Sequence, residues 1–274
     1  MPGMRHLLNA LSFATLFLLV CVCHQAHAAP AGLELPDYLK PLPRYLFVGE
    51  LHGTAETPVF FLQLVREYLK DNPRLVVALE LDPVEQEALD RFMTDGKAST
   101  EVAEKRLLKE RGWRGYMGHF DGRTSQAMLQ LLHELRGIAL QQHNGYPKVV
   151  AFLTGTDEHA ARIIQRAMMR SLGANLVSLS GNVHAMKKPP SMRPDQKTMP
   201  MFFPAEKTFS LDVLPRGGRA WACTGKNCGE LALQPATNAP DCAEDCYTRL
   251  PPDGDFDARY VLMRATASPP AARK

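Results

Sequence analysis

The sequence predicts an α/β fold, a mainly parallel sheet flanked by helices, and three features point to it. Short apolar runs rich in Val, Leu and Phe alternate with longer stretches of helical period, the trace that strands and crossover helices leave. Polar-proline pairs follow two of those runs closely, at Thr57-Pro58 and Asp82-Pro83, and such pairs open helices. Beyond an apolar leader the chain holds about 245 residues, a length that one α/β domain fills.

The leader comes first. Met1 to His6 carries one firm positive charge at Arg5, Leu7 to Cys23 is almost wholly apolar, and Ala26-His27-Ala28 places small residues at alternate positions. That layout predicts a signal peptide cleaved after Ala28, with residues 29–266 forming one α/β domain in the periplasm or secreted. The apolar segment falls short of the roughly 20 residues a spanning helix needs, and no second long apolar run follows it, so no membrane span is expected after cleavage. Cys21 follows Val20, a poor context for a lipid anchor. With Arg5 removed, 31 basic residues face 29 acidic ones, and nothing in that balance points to nucleic acid, so no such partner is expected.

Six strands follow from the apolar runs: Tyr45 to Val48, Leu75 to Leu81, Val149 to Leu153, Leu176 to Ser180, Thr208 to Val213 and Tyr260 to Met263. The last two lack clear helices between them, which predicts antiparallel pairing at the C-terminal end. Thr57 and Asp82 are placed as helix caps, with Glu85 completing a capping box to Asp82. The helix after Thr124 carries Met128, Leu131, Leu132, Leu135 and Ile138 on one stripe, and the helix after Thr156 carries Ile163, Ile164, Ala167 and Met168. Both stripes read as core.

From Pro215 to Asp257 the periodicity disappears, and Pro, Gly, Asn and four cysteines gather. Cys223, Cys228, Cys242 and Cys246 in an oxidising compartment predict two disulfides, in any of three pairings. A zinc site is the rival reading, weakened by irregular spacing. This stretch is too poor in aliphatic residues to form a second domain. Residues 267–274 read as a disordered tail.

The chemistry concentrates where apolar strands stop. In Val48-Gly49-Glu50-Leu51-His52-Gly53-Thr54-Ala55-Glu56, polar groups crowd a turn on the rim where open α/β sheets bind ligands. Gly181-Asn182-Val183-His184 repeats the G-x-x-H arrangement after another strand. A lone histidine there is more often structural, but two at matching strand ends predict one shared site. Glu80 closes an apolar run, where a carboxylate is costly unless paired. In the Gly-rich stretch from Trp113 to Arg123, His119 and Arg123 are candidates to hold substrate, with Arg123 suited to a carboxylate or phosphate. No H-E-x-x-H, G-x-S-x-G, P-loop or G-x-G-x-x-G is present, so serine-hydrolase and nucleotide readings lose support.

On these motifs the chain resembles the Tiki/TraB superfamily, which takes in ChaN-like haem-binding proteins and the erythromycin esterases. The likeness spans roughly Tyr45 to Met186, and the Cys-rich excursion is outside it. The run Gly49-Glu50, His52-Gly53-Thr54 and Glu56 is similar to the esterase branch's acidic, His-Gly-Thr, acidic turn, which adds Glu56 as a substrate-binding candidate. The spacing between Glu50 and His52 is one residue shorter than in that branch, which argues against macrolide specificity.

The resemblance implies hydrolysis of a peptide, ester or related polar bond in a small-molecule or peptide substrate. With a divalent metal (Mn, Co or Zn), His52, His184 and Glu50 would be ligands, with Glu80 an alternative carboxylate. Without one, His52 would be the base, Glu50 or Glu80 would orient it, and His184 would act as acid or oxyanion donor. The rival class is a haem-binding uptake protein, in which histidine, tyrosine or methionine meets iron. A further option is a member without activity that binds a partner through the excursion.

Overall fold

The computed structural model describes residues 34–115, 121–224, 227–234 and 240–272. The six strands expected from the apolar runs all form: β1 (Tyr45–Glu50), β2 (Leu75–Leu79), β3 (Lys148–Ala151), β4 (Asn175–Gly181), β5 (Thr208–Pro215) and, last in the chain, β9 (Ala258–Leu262). Three more lie in the excursion: β6 (Gly218–Thr224), β7 (Asn227–Leu233) and β8 (Cys246–Arg249). The main sheet runs β3-β2-β4-β1-β5-β9-β8, while β6 and β7 pair as a separate antiparallel hairpin.

Strand chemistry explains the layering. Successive side chains on β1 point to opposite faces, so Leu46 and Val48 enter one core cluster and Phe47 the other. A strand buried on both sides reads as a continuous apolar run, which is why these segments stand out in the sequence. The first face is covered by α1 (Glu56–Asp71), α2 (Gln86–Thr94), α3 (Thr100–Leu107) and α4 (Gln126–Gln142), through Phe61, Leu64, Leu89, Ala103, Leu132 and Leu135 among others. The second is covered by α5 (Asp157–Met169) and the short α6 (Asn182–Ala185), through Ala161, Ile164 and Ala185. No helix among the described residues is long and apolar enough to cross a membrane.

Four local expectations are corrected. Strands β5 and β9 pair in parallel, Leu211 opposite Ala258, and the antiparallel partner of β9 is β8, which the aperiodic sequence of the excursion conceals. Helix α1 begins at Glu56 without a side-chain cap, and Thr57 lies inside its first turn with its hydroxyl 2.8 Å from that of Thr54. Asp82 does cap, accepting from Val84 N at 3.0 Å, but over a single 3-10 turn; Glu85 turns inward and accepts from Gly112 N instead of closing a capping box.

The chain after Thr266 is the fourth. It is paired through Ala271, not disordered. Gln126 N and Ala127 N, orphan donors at the start of α4, reach Pro269 O at 2.8 Å and Ser268 Oγ at 2.9 Å, and Ala271 N returns to Thr124 O at 3.0 Å.

Two disulfides form, each between near neighbours: Cys223–Cys228 across directly opposed positions of β6 and β7, and Cys242–Cys246. Of the three pairings open to the sequence, this is the local one. With all four sulfurs bonded to each other, no thiolate is left for zinc.

Candidate active site

The site is built where adjacent parallel strands end together. Glu50 at the end of β1 lies opposite Gly181 at the end of β4, and Glu80 N, one residue past β2, donates to Leu179 O of β4 at 3.2 Å. Three neighbouring strands thus present Glu50, Gly181 and Glu80 side by side on the carboxyl rim, the position at which open α/β sheets hold ligands. His52 follows β1 by two residues, His184 sits in α6 directly after β4, and Asp157 opens α5 after β3.

Two glycines set this geometry. Gly53 takes φ +79°, a left-handed turn, and a Cβ there would strike Trp221 O at 2.0 Å, so the hairpin backbone packs against the loop that carries His52. Trp221 N donates to Gly53 O at 2.9 Å, which pins the contact. At Gly181 a Cβ would lie 3.1 Å from His52 Nε2 and 3.6 Å from both Glu80 Oε2 and His184 Cδ2. Atoms of all three side chains therefore lie within 4 Å of one point, and the two imidazoles are neighbours.

Their surroundings differ. His52 Nδ1 is 2.8 Å from Glu50 Oε1, and its Nε2 is 3.4 Å from Glu80 Oε2, so a carboxylate faces each ring nitrogen. His184 has Nδ1 2.5 Å from Asp157 Oδ1, and no partner stands at its Nε2 among the described residues. The His184 side chain is 37% exposed against 17% for His52, so it is the ring with both a free nitrogen and access to solvent. The buried Glu80 is held from several sides: Gly181 N donates to Oε2 at 2.7 Å, and Arg123 Nε donates to Oε1 at 2.9 Å.

Electrostatics follow from this. Burial disfavours charge on His52, but hydrogen bonds and attraction from Glu50 and Glu80 outweigh it and push the pKa up to about 9. Burial likewise opposes charge on Glu80, yet His52, Arg123 and His184 hold it well below the usual carboxylate range. The bond to Asp157 raises His184, against a smaller opposing effect of burial. His52 is thus an imidazolium at neutral pH, clasped between two anions.

Other candidates from the sequence stand elsewhere. Glu56 turns to the C-terminal segment, where Oε2 accepts from Thr266 N at 2.8 Å. Arg123 reaches the site but is spent on Glu80 and Asp121. His119 lies outside the described residues. Asp157 has only a weak sequence signal, its place just after a strand end at the start of a helix, while the nearby His159 is exposed.

Among the described residues no three His, Cys, Asp or Glu groups stand so that they could hold an ion. The arrangement of His52, His184 and Glu50 does not fit a two-histidine, one-carboxylate centre. Of the two imidazoles, that of His184 has a ring nitrogen with no partner among the described residues.

No protein-family model and no curated protein sequence matches the chain. Solved structures do share its fold. A succinoglycan biosynthesis protein superposes with a TM-score of 0.58 at 10% identity, over 86% of this chain and 93% of that one. A Bacillus cereus protein gives 0.52 at 12% identity, over 86% and 93%. The erythromycin esterase mutant EreC in its open conformation gives 0.52 at 12%, over 88% and 97%. The chain therefore has an erythromycin-esterase-like α/β fold. At such identities the likeness is one of fold, and the chemistry must be argued from the side chains.

Proposed function

We propose that this chain is an exported hydrolase of the Tiki/TraB type, cleaving an ester, peptide or related polar bond without a metal, with His184 as general base. The observation that carries this reading is the inequality of the two imidazoles: His184 is bonded at one nitrogen and, among the described residues, has no partner at the other, whereas carboxylates flank both nitrogens of His52. The roles read from the sequence are thereby reversed.

Asp157 accepts the Nδ1 proton and so fixes the tautomer that leaves the Nε2 lone pair outward. That lone pair takes a proton from water as the water oxygen bonds to the carbonyl carbon. The oxyanion forms near the imidazolium of His52, whose charge stabilises it. On collapse the carbon–heteroatom bond breaks, and His184 returns its proton to the departing group. Glu50 and Glu80 keep His52 charged.

A screen of ester and peptide libraries, run with chelator and with added manganese, cobalt or zinc, tests the proposal. Turnover is expected to survive chelation and to vanish in His184→Asn. Turnover that depends on added metal, or that His184→Asn leaves intact, overturns it. A saturable Soret shift on titration with haem, lost in His184→Asn, would support the uptake reading instead. Export is checked by the N-terminal residue of the mature protein, expected to be Ala29.

A further inference from the structure

Away from the paired imidazoles, the outer edge of the sheet carries a groove of about 860 Å³. That volume lies within the roughly 300–1,000 Å³ typical of small-molecule sites. Its floor is β3 at Val149 and Val150, one wall is α5, and the other is formed by α2 and the end of α4. None of the residues that hold His52 or His184 lines it.

The α5 wall has a definite chemistry. Ile163, Arg166, Ala167 and Arg170 recur at the i, i+3, i+4, i+7 spacing of one helical face, so that face alternates apolar and cationic groups. Met93 and Leu140 stand among the lining residues of the opposite wall. Lys148 and His143 also line the groove, and its single acid, Asp90, is engaged by the Gln86 amide at 2.9 Å. Among the described residues neither Arg166 nor Arg170 has a carboxylate partner, whereas Arg162 on the same helix is paired with Glu158. Two unpaired guanidinium groups beside an apolar floor are complementary to an anion with a hydrocarbon body.

An edge strand ordinarily invites another strand. Here the Gln86 side chain takes that place: Nε2 donates to Val149 O at 2.9 Å, and Oε1 accepts from Ala151 N at 2.8 Å. The backbone edge is closed to an added peptide strand. An occupant must bind through its apolar surface and its charge alone.

We propose that this groove binds a single-chain anionic amphiphile of the fatty-acid class, with its carboxylate on Arg166 and Arg170 and its chain over Val149, Val150 and Leu140. This site stands whether or not the imidazole pair is catalytic. Each methylene that leaves water adds about fourfold in affinity, so binding grows steeply with chain length.

Calorimetric titration of the folded, disulfide-intact chain with dodecanoate below its micelle concentration tests this. One saturable site is expected, at least tenfold tighter than for octanoate and at least tenfold tighter than for dodecyltrimethylammonium, which has the same chain and the opposite charge. The exposed double variant Arg166→Gln/Arg170→Gln, and separately Leu140→Glu, should each weaken dodecanoate at least tenfold while keeping the melting temperature, and His184→Asn should bind as wild type. Absence of saturable binding, equal binding of the cationic amphiphile, or indifference to both groove variants overturns the proposal.

Discussion

His184 Nδ1 lies 2.5 Å from Asp157 Oδ1, joining two residues 27 positions apart that sit at the starts of different helices on one rim of the sheet. The Asp157 carboxylate is 4% exposed, and its second oxygen has no partner among the described groups. The carboxylate is thus committed to the imidazole, which is the arrangement an orienting residue needs.

Asp157→Asn is expected to lower the His184 pKa toward about 6.5, because the bond to Asp157 is the largest influence raising it. The amide can also hold the wrong tautomer, so kcat on any substrate found should fall about 10²- to 10⁴-fold. Imidazole NMR titration reads the first effect without a substrate. An unmoved His184 resonance would remove Asp157 from the site.

The raised pKa of His52 makes stability depend on pH. A group whose pKa goes from about 6.5 unfolded to about 9 folded contributes in full below about pH 6.5 and loses that contribution as pH passes about 9. The contribution is on the order of 3 kcal/mol, shared with Glu50 and Glu80. Glu80 works in the opposite sense: its pKa is lowered on folding, so its share is present above about pH 4.5 and lost on strong acidification. Urea unfolding of wild type and His52→Gln at about pH 6 and about pH 10 should show the gap between them narrowing at the higher pH. A gap that does not change with pH would mean that the ring is neutral throughout.

Hydrolysis should trace a bell. Rate rises as His184 loses its proton, with a midpoint above about 6.5, and falls as the imidazolium of His52 is lost near about 9. In His52→Gln the alkaline limb should disappear, and a profile that keeps it assigns that limb to another group.

Gly181→Ala probes the proximity of the two imidazoles directly. The added methyl would stand 3.1 Å from His52 Nε2, so the ring must shift by a few tenths of an ångström away from Glu80 and His184. Activity is expected to fall about 10- to 100-fold with a small change in melting temperature, since misplacement by such distances is costly to catalysis. Wild-type turnover in this variant would show that the convergence of the rings is not used.

The paired cysteines make a prediction of their own. Native protein should titrate no thiol among Cys223, Cys228, Cys242 and Cys246, and Cys223→Ser/Cys228→Ser should lose about 2 kcal/mol, the loop-closure value for so short a ring. Four reactive thiols in the folded protein would contradict both bridges.

Much of this molecule can be read from one dimension because the relevant signals are local. An apolar run of five or six residues marks a strand buried on both faces, and Glu50, His52, Glu80 and His184 are visible because each interrupts the apolar pattern at or just beyond such a run. Periodicity likewise gives α4 and α5 their buried stripes. Beta strands in the excursion escape notice because their side chains are small, polar or half exposed, and pairing with β9 or with each other, which the local sequence does not show, holds them.

Which carboxylate meets which nitrogen is a matter of register in space. Asp157 finds His184, and Glu80 finds both His52 and Arg123, only because β3, β2, β4 and β1 end on a common rim in the order the sheet imposes. The same long-range packing draws Glu56 away to Thr266, orders the segment after it, and pairs each cysteine with its neighbour. A residue's type and its local pattern travel with the chain, but a proton's donor and acceptor are settled by distances of a few ångströms between segments far apart in it.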